Sequence, residues 1–303
     1  MPSRRFIAVT LVAAGLQLVL ACTPAPDRTL AIPDSPDGTV EVVLKGLARH
    51  RPEVLWHALP ASYQQDVLDL AAAVPDNIEP AIFNRAVAVA RKATFVLQRK
   101  KELILASEVV QRSGADPESL DAVWEGVMHI ADAVLASDLA RLDAYRDLDV
   151  EAVLATTGSE VMGQLVGISY PGIPGQALAD WIDDLESAEV DLFRHDGDTA
   201  LVRVTRPNGI PMDLEMIRVE GRWLPTDLVE RWPDAVVRAR DRLDRLGSDE
   251  GQRTKMQVWI ALGVAERFID QIDEMERQED FDATLGGFLG SFIPIPSGTT
   301  ERG

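Results

Sequence analysis

Cysteine is nearly absent from this chain of 303 residues, which has a single one, Cys22. One cysteine excludes a disulfide within the chain, and it excludes the zinc sites that are built from two or more thiolates. Once Cys22 is acylated, as its sequence context predicts below, no thiol remains for catalysis. The sequence therefore argues against redox and thiol chemistry.

Histidine is also scarce, with four residues, at positions 50, 57, 129 and 195. No two of them form the HExxH or HxH patterns of hydrolytic metal centres. Glu125 and His129 have a helical spacing that suits a metal ion, but no third ligand lies nearby in the sequence, so we interpret them as ordinary helix residues. A Gly-rich phosphate loop and a dinucleotide fingerprint are missing too, and we expect no cofactor.

A serine hydrolase site has little support in the sequence. The segment GISYP, residues 167–171, lacks the closing glycine of a nucleophile turn. Ser169, His195 and Asp191 combine into a triad only formally, because serine and aspartate are common in any chain. We therefore expect no catalytic residues, and we keep a hydrolase as the weakest of three functional alternatives.

Basic residues are too few to balance the acids: 30 lysines and arginines against 49 aspartates and glutamates give a formal charge of −19. Such a chain repels phosphate backbones, so nucleic acid is not an expected partner. It also repels anionic headgroups, so a basic membrane patch is not expected either. We interpret the charge chiefly as a determinant of solubility.

Two charged clusters have alternative interpretations. Four acids lie on a short predicted helix: Asp180, Asp183, Asp184 and Glu186. A calcium loop needs a turn glycine and a fixed spacing of oxygen ligands, so we expect these acids to form a solvated face. The basic residues of 91–92 and 99–101 are expected to pair with nearby acids, and the alternative is contact with headgroups or another anion.

The one long apolar run opens the chain, MPSRRFIAVTLVAAGLQLVLAC. A basic start, an apolar run and a small residue before a cleavage point are typical of a secretory signal peptide, and the run is shorter than the ~20 residues of a spanning helix. Its ending, Val19-Leu20-Ala21-Cys22, resembles the lipobox of bacterial lipoproteins. The resemblance implies cleavage before Cys22 and its acylation with palmitate. An ordinary secretory signal and an uncleaved anchor are the alternatives.

This resemblance also predicts a location. A lipid at Cys22 would attach the chain to a membrane of the cell envelope, with its folded part in the periplasm. In an organism with two membranes, Thr23 in place of aspartate resembles the class sorted to the outer membrane. The lipid, rather than a protein surface, is then the expected membrane contact.

The rest of the chain is predicted to be α+β and predominantly helical. The expected organisation is a signal peptide (1–21), a flexible tether (22–38), a helical region (39–145), an α+β region (146–232), C-terminal helices (233–278) and a Gly-rich apolar then disordered tail (279–303). Alternating apolar residues predict an antiparallel meander over about 189–225. Turns are expected at Asp196-Gly197-Asp198, at Asn208-Gly209, which is the clearest hairpin signal, and at Glu220-Gly221.

Helix boundaries follow mainly from proline and glycine. We expect a break at Pro75-Asp76-Asn77, Pro233 to open the last helical region, and one long helix to run from Ile78 to about Ser113. Another helix is predicted over 148–166, with a possible break at Gly158.

Residues 138–232, with the helix LDVEAVLATTGSEVM and the final hairpin MIRVEGRWLPTDL, resemble the NTF2-like α+β fold. The resemblance implies a pocket between helix and sheet. It implies no particular reaction, because unrelated functions use this fold.

Three functions remain as alternatives. The first is a non-enzymatic binding or assembly factor whose partner is an envelope protein or a lipid, with the apolar segment GGFLGSFIPIP either packed on the domain or used for contact. The second is a carrier or sensor of a small hydrophobic ligand, in a helix–sheet pocket lined by four residues: Trp181, Phe193, Met216 and Trp223. The third is the hydrolase.

Overall fold

A computed structural model describes residues 31–112, 117–167, 182, 184–207, 209–248 and 251–292. The helices are α1 Pro36–Ala48, α2 Glu53–Ala58, α3 Ala61–Asn77, α4 Pro80–Arg99, α5 Lys101–Leu105, α6 Glu108–Arg112, α7 Pro117–Ala136, α8 Val150–Val153, α9 Ser159–Gly167, α10 Thr226–Gly247, α11 Gly251–Glu274 and α12 Gln278–Phe292. The strands are β1 Glu189–Asp196, β2 Thr199–Thr205, β3 Met212–Val219 and β4 Arg222–Pro225. The predominantly helical α+β class is confirmed.

The four strands form an antiparallel meander in the order β1-β2-β3-β4, as the sequence predicts. Along β2, alternate side chains point to one face, where Ala200, Val202 and Val204 are buried. These residues pack with Val40 of α1, so α1 covers this face of the sheet. The sheet core therefore joins the first described helix to strands far along the chain.

The sheet has a tight turn between β3 and β4, at Glu220-Gly221, where the sequence also predicts a turn. Val219 pairs with Arg222, and the two residues between them, Glu220 and Gly221, have φ values of 49° and 78°. Positive φ at both positions is the requirement of a type I′ hairpin turn. Asn208 lies outside the described residues, and Gly209 lacks a positive φ. Prolines at 207 and 211 lack the N–H that a ladder needs, which explains the wider loop there.

Helix α1 begins with local capping. The Ser35 side chain accepts a hydrogen bond from the Gly38 N–H at 3.2 Å, and Pro36 and Asp37 occupy the first turn, where the helix dipole favours them. After α1 the chain turns through His50, which has a φ of 54°. Helix α2 then packs closely on α1, because Gly46 of α1 has no side chain that would clash with Val54 of α2.

One of the two proline predictions is wrong. Helix α3 ends at Asn77, within the predicted break Pro75-Asp76-Asn77, although Pro75 itself still lies inside the helix. Pro233 lies inside α10 and does not open it. Pro233 is interior, and the preceding Trp232 is held by a stack on Tyr63 and a hydrogen bond to Asp66. These tertiary contacts offset the local cost of proline, which the sequence pattern alone does not reveal.

The long helix expected from Ile78 is divided into α4, α5 and α6. Lys100, between α4 and α5, is buried and donates a hydrogen bond to the Met275 carbonyl. Ser107 is fully buried, and its hydroxyl accepts from the Val110 N–H at 3.3 Å at the start of α6. Long-range and capping contacts thus divide this segment into three helices, although its apolar periodicity is continuous.

The helix predicted over 148–166 is continuous, although not regular. A π-helical turn, Leu154–Gly158, connects α8 to α9. Asp149 caps its start by accepting a hydrogen bond from the Ala152 N–H at 2.9 Å. A side chain at Gly158 would meet Pro52, so the glycine here allows close approach and does not break the helix.

The five basic residues of 91–92 and 99–101 all have a partner within the chain. For three of them it is an acid, as the first interpretation predicts, and for two it is a backbone carbonyl. The partners are Leu135 O for Arg91, Asp270 for Lys92, Asp273 for Arg99, Met275 O for Lys100 and Asp121 for Lys101. With Arg85–Glu266, two of these ion pairs form a ladder between α4 and α11. The residue numbers of the paired side chains increase together along α4 and α11, so these two helices run parallel.

Helix α12 occupies a segment that the sequence assigned to a Gly-rich tail. Phe281 is 1% exposed and packs with Val96 and Ile272. The Gln278 side chain donates a hydrogen bond to the Leu103 carbonyl at 3.1 Å. The side chains of 288–292 and all of 293–303 lie outside the description, so the contact role of GGFLGSFIPIP stays a prediction.

Within the described ranges, no helix combines the length and the hydropathy needed to cross a membrane. Cys22 and the predicted signal peptide lie outside the described residues.

Candidate functional site

An apolar cavity of about 270 Å³ lies between α1, α2 and the inner face of the sheet. We call it the α1–sheet cavity. Its wall has thirteen residues: Thr39, Val40, Val43, Leu44, Leu55, Ala58, Leu59, Leu214, Met216, Trp223, Leu224, Pro225 and Leu228. Only Thr39 and Trp223 have a side-chain nitrogen or oxygen atom, so the cavity is suited to apolar groups.

The helical wall follows from the 3.6-residue period of α1. Val40, Val43 and Leu44 lie on one side of that helix, which faces the sheet. The close contact between Gly46 and Val54 then sets the position of α2, which adds three further apolar residues to the wall. The wall is therefore built by one amphipathic helix and a short helix packed on its end.

The sheet wall follows from the two-residue period of a strand. Leu214 and Met216 alternate along β3, and Trp223 lies beside them on β4. Met216 is 2% exposed and Trp223 is 3% exposed, so both are held firmly in the sheet core. Leu55 of α2, in contrast, is 46% exposed. The cavity is consequently open to solvent on the side of α2.

Two of the four predicted pocket residues meet at this cavity, and one does not. Met216 and Trp223 line it, whereas Phe193 is 62% exposed and does not. Phe193 lies under the Arg203 guanidinium, 4.3 Å from its ring centroid, on the opposite face. Phe193 lies at an irregularity of β1, where the register shifts between Leu192 and Arg194, so its contact with Arg203, and not strand alternation, identifies its face. Trp181 lies outside the described residues.

Sequence reasoning missed the helical wall of the site. The periodicity of Val40, Val43 and Leu44 predicts an apolar face, but no local signal shows that this face covers strands about 160 residues later. The exposed Leu55 carried no distinguishing signal either.

The two polar side chains of the wall differ in how they are satisfied. The Thr39 hydroxyl donates to the Pro33 carbonyl at 3.1 Å. The Trp223 indole nitrogen is buried and has no hydrogen-bond partner among the described residues. The His195 and Trp223 rings are in edge-to-face contact, with centroids 5.4 Å apart and an interplanar angle of 71°. Trp223 is therefore the wall residue with an unused hydrogen-bond donor.

The formal hydrolase triad is not assembled in the described part of the chain. His195 pairs with Ala200 on the buried face, whereas Asp191 pairs with Arg203 on the opposite face. The Nε2 atom of His195 lies 3.1 Å from the Gly197 carbonyl oxygen. Ser169 lies outside the description. The geometry thus separates the base from its predicted acid.

The acidic cluster is not simply a solvated face. Asp184 is buried and forms an ion pair with Arg206 at 3.9 Å. Glu186 pairs with Arg49 at 3.2 Å. Asp180 and Asp183 lie outside the described residues, and among those described no group of His, Cys, Asp and Glu side chains could hold a metal ion.

A second apolar cavity of about 200 Å³, the bundle cavity, lies between α4, α5, α11 and α12. Its wall includes Ala93, Val96, Ile272 and Phe281, and it has no charged side chain. It is useful as an internal comparison, because it is apolar but carries no unpaired indole.

No family model matches this chain, and neither a curated protein nor a solved structure matches it.

Proposed function

We propose that this protein is a lipid-anchored binding protein of the cell envelope rather than an enzyme, and that it takes up a small apolar ligand in the α1–sheet cavity. The anchor part of the proposal is supported by the N-terminal segment that ends at Cys22. A periplasm-facing domain on an outer membrane is the location that Thr23 favours. The NTF2-like resemblance of 138–232 remains a prediction; it implies a pocket between the sheet and a helix of that range, whereas the helical wall of this cavity comes mainly from α1 and α2.

The observation that carries the ligand proposal is the open, apolar α1–sheet cavity. An apolar cavity of this kind holds water poorly, and its walls gain contacts when an apolar molecule enters. Its volume is near the lower end of the ~300–1,000 Å³ that small-molecule sites span. Leu55, a wall residue, is 46% exposed, which agrees with a cavity that is open to solvent on this side.

The test uses two matched substitutions, each of which fills one cavity. Ala58→Phe fills the α1–sheet cavity, and Ala93→Phe fills the bundle cavity. The probe is N-phenyl-1-naphthylamine, which is apolar and fluoresces more strongly in apolar surroundings. We expect the wild type to bind it, Ala58→Phe to lose binding, and Ala93→Phe to retain it.

Thermal unfolding of both variants provides the control, since filling an existing cavity should cost little stability. A wild type that does not bind the probe would contradict the proposal, as would equal losses in both variants. Native mass spectrometry of the protein purified gently from the envelope then identifies the natural ligand by its extra mass.

An assembly factor is the second candidate, and one observation favours it. The first half of α11 exposes apolar side chains, with Met256 at 64% and Ile260 at 57%. A photo-crosslinker at position 256 should capture one specific envelope protein, whereas the same crosslinker at the exposed polar Gln257 should not. Equal, diffuse labelling from both positions would contradict this candidate.

A further inference from the structure

We infer that one face of α11 lies on the surface of the membrane that holds the lipid anchor, with its arginines against anionic headgroups and its apolar side chains between those headgroups. The inference involves no residue of the α1–sheet cavity. It rests on the anchor part of the proposed function, because the anchor is what keeps the chain at a membrane. Three observations carry it: exposed apolar side chains, the charge of the same face, and the length of chain between anchor and fold.

The first half of α11 exposes large apolar side chains. Residues 252–254 and 256–261 are all exposed, whereas the second half of the helix packs on α4 through ion pairs such as Lys92–Asp270. Met256 is 64% exposed, Ile260 57% and Trp259 43%. Apolar side chains grouped in this way mark an interaction surface, and tryptophan is enriched where such a surface meets a membrane interface.

Two of these side chains share one side of the helix with two arginines. Residues three, four and seven positions apart lie on the same side of a helix. This spacing joins four exposed residues, which we call the α11 face: Arg253, Met256, Ile260 and Arg267.

The α11 face is basic and apolar in a chain whose formal charge is −19. Within 251–269 the sequence has one acid, Glu266, and it points to α4, where it pairs with Arg85 at 2.9 Å. Asp249 and Glu250 precede this range and lie outside the described residues. The charge of the whole chain gave no sign of this face, because acids elsewhere outnumber its arginines.

An anionic lipid surface is the partner that this face fits. Arg253 and Arg267 form no ion pair with an acid of the described part of the chain, whereas Lys92 and Arg99 of α4 pair with acids of α11. Basic residues attract anionic headgroups, and apolar residues beside them enter the headgroup layer, as in helices that lie on membranes. A second copy of this chain would add another charge of −19 and is repelled.

The chain between Cys22 and the fold is long enough to allow this contact. Residues 23–35 separate Cys22 from Pro36, and thirteen extended residues span up to ~45 Å. Helix α10, which leads from β4 towards α11, has 22 residues and is about 33 Å long. The anchor therefore does not hold the start of α11 away from the bilayer.

The first experiment places a photo-crosslinker in the full-length, acylated protein and illuminates intact cells. Position 256 is compared with position 193, because Phe193 is apolar and equally exposed, at 62%, but lies on the sheet. Mass spectrometry of the purified protein should show a phospholipid adduct at position 256 and little or none at position 193. A protein adduct at 256 would overturn the inference and would support the assembly factor.

The second experiment tests the charge of the face on purified acylated protein with the crosslinker at position 256. The vesicles contain phosphatidylcholine alone, or phosphatidylcholine and phosphatidylglycerol in equal parts. Phosphatidylglycerol should raise the ratio of lipid adduct to free protein. On these vesicles we expect Arg253→Gln to lower the ratio by roughly 3- to 5-fold, the effect of one basic residue at an anionic surface.

Arg231→Gln is the matched control for Arg253→Gln. Arg231 is an exposed arginine of α10 that is already paired with Asp227 at 3.3 Å, so its loss should change the ratio by less than about 2-fold. A ratio that ignores phosphatidylglycerol, or that falls equally in both variants, would overturn the inference.

The outcomes separate this inference from the anchor. If Cys22 carries no acyl group and neither position takes up lipid in cells, the anchor and the inference both fail. If the protein is acylated and membrane-bound but positions 256 and 193 are labelled alike, the inference fails and the anchor stands.

Discussion

The rings of Tyr63 and Trp232 lie stacked, with centroids 4.4 Å apart and an interplanar angle of 11°. The Trp232 indole N–H also donates to an Asp66 carboxylate oxygen at 2.8 Å. Trp232 belongs to α10 and the other two residues belong to α3. One tryptophan thus makes an aromatic and a polar contact with the same neighbouring helix, directly before the interior Pro233.

Removing the donor of this contact should destabilise the fold. Trp232→Phe keeps a ring for the stack but leaves Asp66 without its partner. Because the acceptor is a carboxylate in a part-buried site, we expect a loss of about 1–2 kcal/mol in the free energy of unfolding, measured with urea. Trp259→Phe, which leaves this contact intact, is the control. A loss below about 0.5 kcal/mol would show that the hydrogen bond contributes little.

Alkaline pH should destabilise the protein through Tyr63. Burial, and then the charges of Asp66 and Glu220, raise its pKa above the ordinary value of 10.0. The folded state therefore holds the phenolic proton more tightly than the unfolded state does. This stabilisation is complete below pH 10 and is lost as the pH rises through the raised pKa of the folded state.

Tyr63→Phe tests this expectation by removing the titrating group. The variant should lose less stability than the wild type above pH 10. Burial also raises the pKa of Tyr145, whose hydroxyl donates to the Leu139 carbonyl at 3.0 Å, so Tyr145→Phe gives a matched comparison. If Tyr63→Phe and the wild type lose stability in parallel above pH 10, the Tyr63 prediction is wrong.

Gly46→Ala should weaken the corner between α1 and α2. A Cβ atom at position 46 would lie 2.7 Å from Val54 Cγ1, and Val54 is fully buried and cannot yield easily. We expect a loss of about 1–3 kcal/mol in the free energy of unfolding, despite the better helix propensity of alanine. Calorimetric unfolding measures it.

Two further variants serve as controls for Gly46→Ala. Gly286 has open space around it, so Gly286→Ala should be neutral or slightly stabilising. The double variant Gly46→Ala/Val54→Ala should lose less than the sum of its single variants, because the clash is gone. Strict additivity would show that the contact is not the cause.

Phe193→Ala should leave the affinity for the naphthylamine probe unchanged. Phe193 lies under Arg203, on the face of the sheet away from α1, and Arg203 is held by a bidentate pair with Asp213. The cost should be about 0.5–1 kcal/mol of stability, from the lost cation–π contact. A large loss of probe affinity in Phe193→Ala, with Ala93→Phe as the unaffected control, would place the ligand on the other face.

Cys22→Ala should release the protein from the membrane. The variant should take up no labelled palmitate and should leave the membrane fraction, whereas Cys22 in the wild type carries the label. A soluble wild type, or a variant that stays in the membrane fraction, would contradict the lipid anchor.

The sheet was predictable from the sequence because its signals are local. Alternating residues such as Ala200, Val202 and Val204 show a buried face without knowledge of what buries it. Of the predicted turns, Glu220-Gly221 has a positive φ at both positions, whereas Gly209, in the strongest local turn signal, does not. Turn identity there depends on which strand residues pair, and that pairing is set by the whole meander.

The site was only half predictable, for a different reason. Met216 and Trp223 belong to the sheet and could be inferred with it. The helical wall of the cavity, from Val40 to Leu55, packs on the sheet through contacts between distant parts of the chain. Long-range contacts also explain why Pro233 lies inside a helix. Proline normally interrupts a helix, but here the preceding Trp232 is held by its stack on Tyr63.

The order in which the cavity is made follows from the distance between its walls along the chain. Val40 and Met216 meet only after a loop of more than about 170 residues has closed, and closing a long loop is slow and costs entropy. A chain that emerges N-terminus first presents α1 long before β3 and β4. The α1–sheet cavity is therefore among the last parts of the protein to form, and its wall is incomplete until β4 is in place.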